Sequence, residues 1–129
     1  MIYLDTSALL KLVQWESESK ALRSWLDSQP NVPWVSSRLL RIELLRSVRR
    51  NDPYLLPAAY GILGRIDMMS IDRICAGAES IGPAMMRSLD SIHLATGCHL
   101  KSALKAFVAY DKRLLKAASV EGLPVISPT

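Results

Sequence analysis

The sequence predicts an α/β fold: a three-layer sandwich around a parallel sheet of about five strands in the order 3-2-1-4-5, in one domain spanning residues 1–129. Three observations predict it. Short apolar runs alternate with longer segments of helical periodicity, the pattern of strand–helix–strand crossovers. The opening run Ile2-Tyr3-Leu4 is apolar on successive positions, as in a parallel strand buried on both faces. No linker, internal repeat or low-complexity tract divides the 129 residues, a length that suits one hydrophobic core. Right-handed crossovers then send the first three strands outward one way and return the last two on the other side, with the switch point between strands one and four.

The elements follow in order. Ile2 to Leu4 form the first strand, and Thr6 or Ser7 caps a helix carrying Ala8, Leu9, Leu10, Leu12 and Val13. Ser17 to Ser28 reads as a second helix with Leu22, Trp25 and Leu26 on one face, broken by Gln29-Pro30-Asn31. Pro33 to Ser36 is the second strand. Ser37 to Arg50 is a strong helix, with Leu39, Ile42, Leu45 and Arg49 at helical spacing and Leu40, Leu44 and Val48 widening the apolar face. Asn51-Asp52-Pro53 ends it and caps a helix from about Tyr54 to Arg65. Met68 to Ile71 is the third strand, after which Asp72 caps a helix through Ala78 to Ile81, closed by Gly82-Pro83. Asp90 to Leu100 is helical, Ala106 to Tyr110 is the fourth strand ending on Asp111, Lys112 to Val120 is the last helix, and Pro124 to Ser127 a final short strand.

Composition narrows the function classes. Half the residues are hydrophobic and 22% are charged, a globular balance rather than a disordered one. No apolar run approaches the ~20 residues of a membrane span. The N-terminus lacks the basic segment and cleavage pattern of a signal peptide. Cys75 and Cys98 are isolated, fit neither a disulfide framework nor a zinc site, and read as reduced core thiols of a cytoplasmic protein. A net charge of +4 and a pI near 9.3 favour acidic partners such as nucleic acid.

The chemistry-bearing residues are acids. In the predicted topology Asp5 and Asp111 end neighbouring strands, ~4.8 Å apart at the carboxyl edge of the sheet. Asp90 opens a helix near the top of the sheet, and Glu43 lies in the first half of the helix after strand two. Clustered carboxylates repel unless their pKa values rise or a cation neutralises them. A hard divalent ion such as Mg²⁺ or Mn²⁺ suits an all-oxygen site, and it supplies the chemistry that phosphodiester cleavage needs. Asp72 is expected at the sheet edge, in a structural role. His93, one turn after Asp90, is expected to pack near the site, and His99 at the surface. Arg38, Arg41, Arg46, Arg49 and Arg50 surround Glu43 in sequence, and Lys112 and Arg113 follow Asp111. Arg41, Arg46, Lys112 and Arg113 are therefore candidate contacts to a nucleic-acid backbone.

Four stretches together resemble the PIN-domain ribonucleases, most closely the VapC-like toxins of toxin–antitoxin pairs. They are Ile2-Tyr-Leu-Asp5-Thr-Ser, Arg41-Ile-Glu43-Leu, Arg87-Ser-Leu-Asp90-Ser-Ile-His-Leu-Ala-Thr and Val108-Ala-Tyr-Asp111-Lys-Arg-Leu. The resemblance spans essentially the whole chain. It implies a Mg²⁺- or Mn²⁺-dependent endoribonuclease, dimeric and inhibited by a VapB-like antitoxin whose C-terminal segment can place a basic side chain among the acids. Asp5, Glu43, Asp90 and Asp111 match the family's acidic quartet, and Asp5 and Asp90 match the positions most often described as metal ligands. Thr6 or Ser7 would support the first acid by hydrogen bonding. Ala109 stands where relatives often carry Thr, and Leu94 where some carry a further acid, which leaves the number of ions open.

Two other readings belong beside this one. A phosphoacceptor receiver domain also gathers acids around Mg²⁺, with its acceptor on the third strand and a Lys after the last. Asp72 imitates the former, but Val125-Ile-Ser-Pro-Thr supplies no Lys. A PIN scaffold that binds RNA without cleaving it is the other, against which stands the presence of all four acids.

Overall fold

The structure is a computed structural model that describes residues 1–129. Five strands, β1 (Ile2–Leu4), β2 (Trp34–Ser37), β3 (Ile66–Met69), β4 (Ala106–Val108) and β5 (Val125–Ile126), form one sheet in the order β3-β2-β1-β4-β5. Every pairing is parallel, with Ile2 opposite both Trp34 and Ala106, and Tyr3 opposite Phe107. The helices are α1 (Thr6–Val13), α2 (Ser19–Asp27), α3 (Leu39–Asn51), α4 (Leu56–Leu63), α5 (Cys75–Ala78), α6 (Ser88–His99) and α7 (Lys112–Val120). No helix is long and apolar enough to cross a membrane. The observed order is not the 2-1-3-4-5 of flavodoxin-like receivers, and β3 lies at the edge, so the receiver reading fails.

The alternation of side chains along a strand splits the core in two. Ile2, Leu4, Ala106 and Val108 point to one face, where they meet Leu9 and Leu12 of α1, Leu22 and Leu26 of α2, and Leu40, Leu44 and Val48 of α3. Tyr3, Val35, Phe107 and Ala109 point to the other, against Leu94 of α6 and Leu114, Ala117 and Ala118 of α7. The three layers follow directly. On the second face the Tyr3 and Phe107 rings stack at 4.8 Å, and α6 lies so close above them that a Cβ at Gly97 would come within 2.8 Å of the Phe107 ring.

Several boundaries differ from expectation, each for a local reason. β3 begins two residues early, because Ile66 through Met69 pair in register with Trp34 through Ser37. Asp72 therefore ends no strand; it sits in a 3-10 turn at the sheet edge, its N–H bonded to Ser70 Oγ at 3.3 Å. The helix expected over residues 72–81 shrinks to that turn and the single turn of α5, a stretch that buries only Ile74. Cys75 is consequently exposed, not a core thiol, and Cys98 is half-buried. On α3 the row Leu40-Leu44-Val48, spaced four residues apart, faces the core, whereas Ile42 is 57% exposed. Asp90 does not open its helix: α6 starts at Ser88 and holds Asp90 in its first turn. β4 stops at Val108, so Asp111 lies beyond the strand and caps α7 instead.

Close packing of α6 on β4 makes a testable contrast between two glycines. Gly97→Ala should destabilise the fold by about 1–3 kcal/mol through overpacking. Gly61→Ala on α4, where nothing lies within 4 Å of the new methyl, should be neutral or stabilise by up to ~1 kcal/mol. Urea unfolding of the two variants beside the parent measures both.

Candidate active site at the switch point of the sheet

β1 delivers Asp5 to the carboxyl edge of the sheet, beside β4. Its backbone turns out of the strand and its carboxylate caps α1: Oδ1 accepts the Ala8 N–H at 2.9 Å and the Ser7 hydroxyl at 2.6 Å. The cap is thus Asp5 itself, with Thr6 and Ser7 inside the first turn. Ser7 Oγ also accepts the N–H of Tyr110 at 2.8 Å, which ties the end of β1 to the segment leaving β4. Asp5 is only 4% exposed, and burial pushes its pKa up to about 6 despite the opposing pull of nearby His93 and its hydrogen bonds. No basic side chain forms a salt bridge with it.

Glu43 arrives from the second turn of α3. Its Oε1 accepts the Thr6 hydroxyl at 2.8 Å and lies 2.7 Å from His93 Nε2. His93 is 2% exposed, and its other ring nitrogen stands 2.6 Å from the Tyr3 hydroxyl. That hydroxyl also accepts the N–H of Ser37 at 3.3 Å. Burial holds the Tyr3 phenol above its ordinary pKa, so it serves as a neutral hydroxyl. Tyr3, His93 and Thr6 thereby fix one oxygen of Glu43.

Asp90 and Asp111 form a second, outer group. Arg87 stands between them: its Nε lies 3.2 Å from Asp90 Oδ2, and a terminal guanidinium nitrogen 3.8 Å from Asp111 Oδ2. Asp111 Oδ1 is occupied by the N–H of Leu114 at 2.9 Å, its capping bond. The Arg87 side chain is 71% exposed, so these are adjustable surface contacts rather than a locked pair.

All four acids lie at one end of the molecule, in two linked groups. His93 follows Asp90 by one turn of α6, and Tyr110 precedes Asp111 while binding Ser7. As the side chains lie, no three acidic, histidine or cysteine residues are gathered around a common point in metal-ligating geometry. Thr6 touches Glu43, and Ser7 touches Asp5. The candidate RNA contacts are dispersed. Arg41 lies over the Tyr60 ring, 5.5 Å from its centre, while Arg46 lines a small cleft with Arg49 and Arg50. Lys112 and Arg113 are exposed on the first turn of α7. The sequence reading missed the bridging by Arg87 and the Tyr3–His93–Glu43 chain. The available signals were the three-residue spacing of Arg87 from Asp90 and the tyrosine inside an otherwise aliphatic strand.

A parallel sheet in this order, with Asp5 and Asp111 following its two central strands and Glu43 and Asp90 borne on α3 and α6, defines a class of α/β domain with acids near the switch point of the sheet. Residues 2–120 match the family model described as "PIN domain". Ribonuclease VapC35 of Mycobacterium tuberculosis is 44% identical, covering 99% of this chain and 97% of the relative. Ribonuclease VapC47 of the same organism is 43% identical over 99% of this chain and 97% of its own length. The crystal structure of M. tuberculosis VapC20, described as a Sarcin-Ricin loop cleaving toxin, superposes with a TM-score of 0.70 over 91% of this chain and 95% of that one. At 16% identity this last likeness is one of fold. The chain belongs to the PIN-domain family and, within it, to the VapC-like proteins.

The buried acid has a measurable signature. A carboxyl whose folded pKa, about 6, lies above its ordinary 3.8 favours the folded state at low pH, and that contribution is lost as pH rises through the folded value. At pH 7.5, without divalent ions, Asp5→Asn should therefore be more stable than the parent by roughly 1–3 kcal/mol, from about 1.4 kcal/mol per pKa unit. The difference should shrink towards zero as pH falls to about 4. Thermal melts across that pH range in a chelating buffer check it.

Proposed function

We propose that this chain is a Mg²⁺- or Mn²⁺-dependent endoribonuclease, the toxin of a type II toxin–antitoxin pair. Its VapC relatives, similar along their whole length and named as ribonucleases, support the nuclease assignment. The observation that carries the metal is Asp5. It is a buried carboxylate whose two hydrogen bonds both fall on Oδ1, with no basic side chain in salt-bridge reach. An ionised group so placed is costly without a counter-cation. An all-carboxylate donor set suits a hard divalent ion better than the softer metals that prefer sulfur or imidazole.

Asp5 and Asp90 would hold the ion, with Glu43 and Asp111 contributing. When bound, it supplies a lower pKa for a coordinated water and stabilises charge developing on a phosphoryl oxygen. The chain's own residues do the rest. Ser7 and the Ala8 N–H orient Asp5 through Oδ1. Thr6 and His93 hold Glu43 through Oε1, which leaves Oε2 to accept a proton from the attacking water. Arg87 must release Asp90 for that carboxylate to join the site, and its exposure makes the release easy; the freed guanidinium then suits the RNA backbone. Arg41, Arg46, Lys112 and Arg113 are the further candidates for backbone contacts. The same reading makes the protein a cytoplasmic homodimer, held inactive by a VapB-like antitoxin.

Purified protein with Mg²⁺ or Mn²⁺ should cut cellular RNA at discrete sites, and a chelator should stop it. Asp5→Ala and Asp90→Ala should abolish cutting while the circular dichroism spectrum persists, and Glu43→Gln should lower kcat by roughly 10²-fold or more. RNA binding with no cleavage under any metal would make the chain a binding scaffold. Full activity in Asp5→Ala and Asp90→Ala would overturn the site.

A further inference from the structure

Parallel pairing sends the strands out at one edge of the sheet, so the residues after β5 emerge beside those after β4. In the observed register Ile126 stands opposite Val108, and Ser127 and Pro128 therefore run alongside Ala109 and Tyr110. β5 itself is two residues long and only partly buried, so it adds little to the core. The segment beyond it is bonded more closely than such an edge strand requires. Ser127 Oγ donates to the Ala109 carbonyl at 2.6 Å, and the Tyr110 hydroxyl donates to the Pro128 carbonyl at 2.7 Å. From α1 the Lys11 ammonium stands 4.7 Å from the centre of the Tyr110 ring. Lys11 is 8% exposed and is itself fixed by Glu16 at 2.6 Å and Glu18 at 2.8 Å. These contacts converge on a stretch that strand pairing no longer holds firmly. β4 ends at Val108, and the Ala109 N–H reaches the Ile126 carbonyl only at 3.4 Å.

We propose that Tyr110 is a positioning residue of the acidic site: clamped by Ser127, Pro128 and Lys11, it sets Ser7 and, through Ser7, the orientation of Asp5. The link is made of two successive hydrogen bonds. The Tyr110 N–H binds Ser7 Oγ at 2.8 Å, and Ser7 donates to Asp5 Oδ1 at 2.6 Å. A serine hydroxyl has one proton to give and lone pairs to accept with. With the Tyr110 N–H on a lone pair, that proton is directed to Asp5, and Oδ2 is left for other partners. The N–H stays in place only while the backbone of residues 109 and 110 stays in place. Ser127 holds its carbonyl side, and the Tyr110 side chain, between Lys11 and Pro128, holds the rest. Residues that support a metal-binding carboxylate in this way set its affinity and geometry without touching the ion. The consequence for catalysis rests on the metal-dependent ribonuclease reading above; the consequence for the Asp5 cap does not.

Tyr110→Phe and Ser127→Ala each remove one bond of the clamp and leave the ring and the main chain in place. In the metal-free protein, hydrogen exchange followed by NMR should quicken about tenfold at the amides of Tyr110 and Ala8, which bind Ser7 and Asp5, and stay unchanged at Val48 in the core. Mn²⁺ affinity should fall about three- to tenfold in each variant, and kcat on an RNA that the parent cuts should fall by a similar factor with KM unchanged. In a Ser7→Ala background the same two substitutions should add almost nothing to the loss of Mn²⁺ affinity or of Ala8 protection, because the link is already broken. Gly97→Ala, which strains the opposite face of the sheet, is the control for lost stability alone and should keep the parental Mn²⁺ affinity. Tyr110→Phe and Ser127→Ala proteins that unfold at lower urea but keep parental Ala8 exchange and Mn²⁺ affinity would overturn the proposal, leaving a structural tie. So would equal losses with and without the Ser7 hydroxyl. A parent that binds no Mn²⁺ and cuts no RNA would instead sink the metal-dependent ribonuclease reading, and the amide exchange still decides whether the clamp sets Asp5.

Discussion

The acidic end of this molecule is built around one carboxylate placed where strand β1 stops. Asp5 has to leave a fully buried strand, begin helix α1 and face the sheet's switch point within a single residue. It does so because Oδ1 satisfies the first turn of the helix, through Ser7 and the Ala8 N–H. Ser7 then spends its remaining capacity on Tyr110, so the cap also joins the ends of the two central strands. The cost of the arrangement is desolvation, seen in a pKa displaced to about 6. A purely structural cap gains nothing from such burial, because capping works well at exposed helix ends.

The remaining acids are positioned by three different devices. Glu43 is held on one oxygen by Thr6 of α1 and His93 of α6, the latter braced by Tyr3 of β1. Asp111 is held by its capping role on α7. Asp90 is held only by Arg87, itself largely solvent-exposed. The order of rigidity runs from Asp5 and Glu43 to Asp90. The inner pair is thus fixed by buried hydrogen bonds, whereas Asp90 is free to change partner.

The sheet order was legible from the alternation of apolar runs and helical segments, because parallel strands buried on both faces leave a plain signature. Asp5 was legible as a candidate because crossover topology puts the end of strand one at the switch point, whereas Glu43 and Asp90 are carried on α3 and α6 and Asp111 caps α7 beyond the end of β4. What failed was local. β3 was placed two residues late, since its start is decided by pairing with β2 rather than by its own composition. Cys75 was read as buried from a helical pattern too short to bury anything. Ile42 was read as a core position, although the row through Leu40, Leu44 and Val48 already fills the contact with the sheet. Neither the reach of Arg87 to two carboxylates nor the Tyr3–His93–Glu43 chain has a sequence periodicity; the first arises only when α6 meets α7, the second when β1, α3 and α6 meet.

Asp5 is proposed above as the acid around which a divalent cation is held. Titration of Mn²⁺ into the metal-free protein at pH 7.5, followed by the loss of the free-ion electron paramagnetic resonance signal, tests it without reference to any RNA. Saturable binding to the parent protein is expected, with at least a tenfold loss of affinity in Asp5→Asn and the fold intact. Equal Mn²⁺ affinity in the two proteins would contradict it.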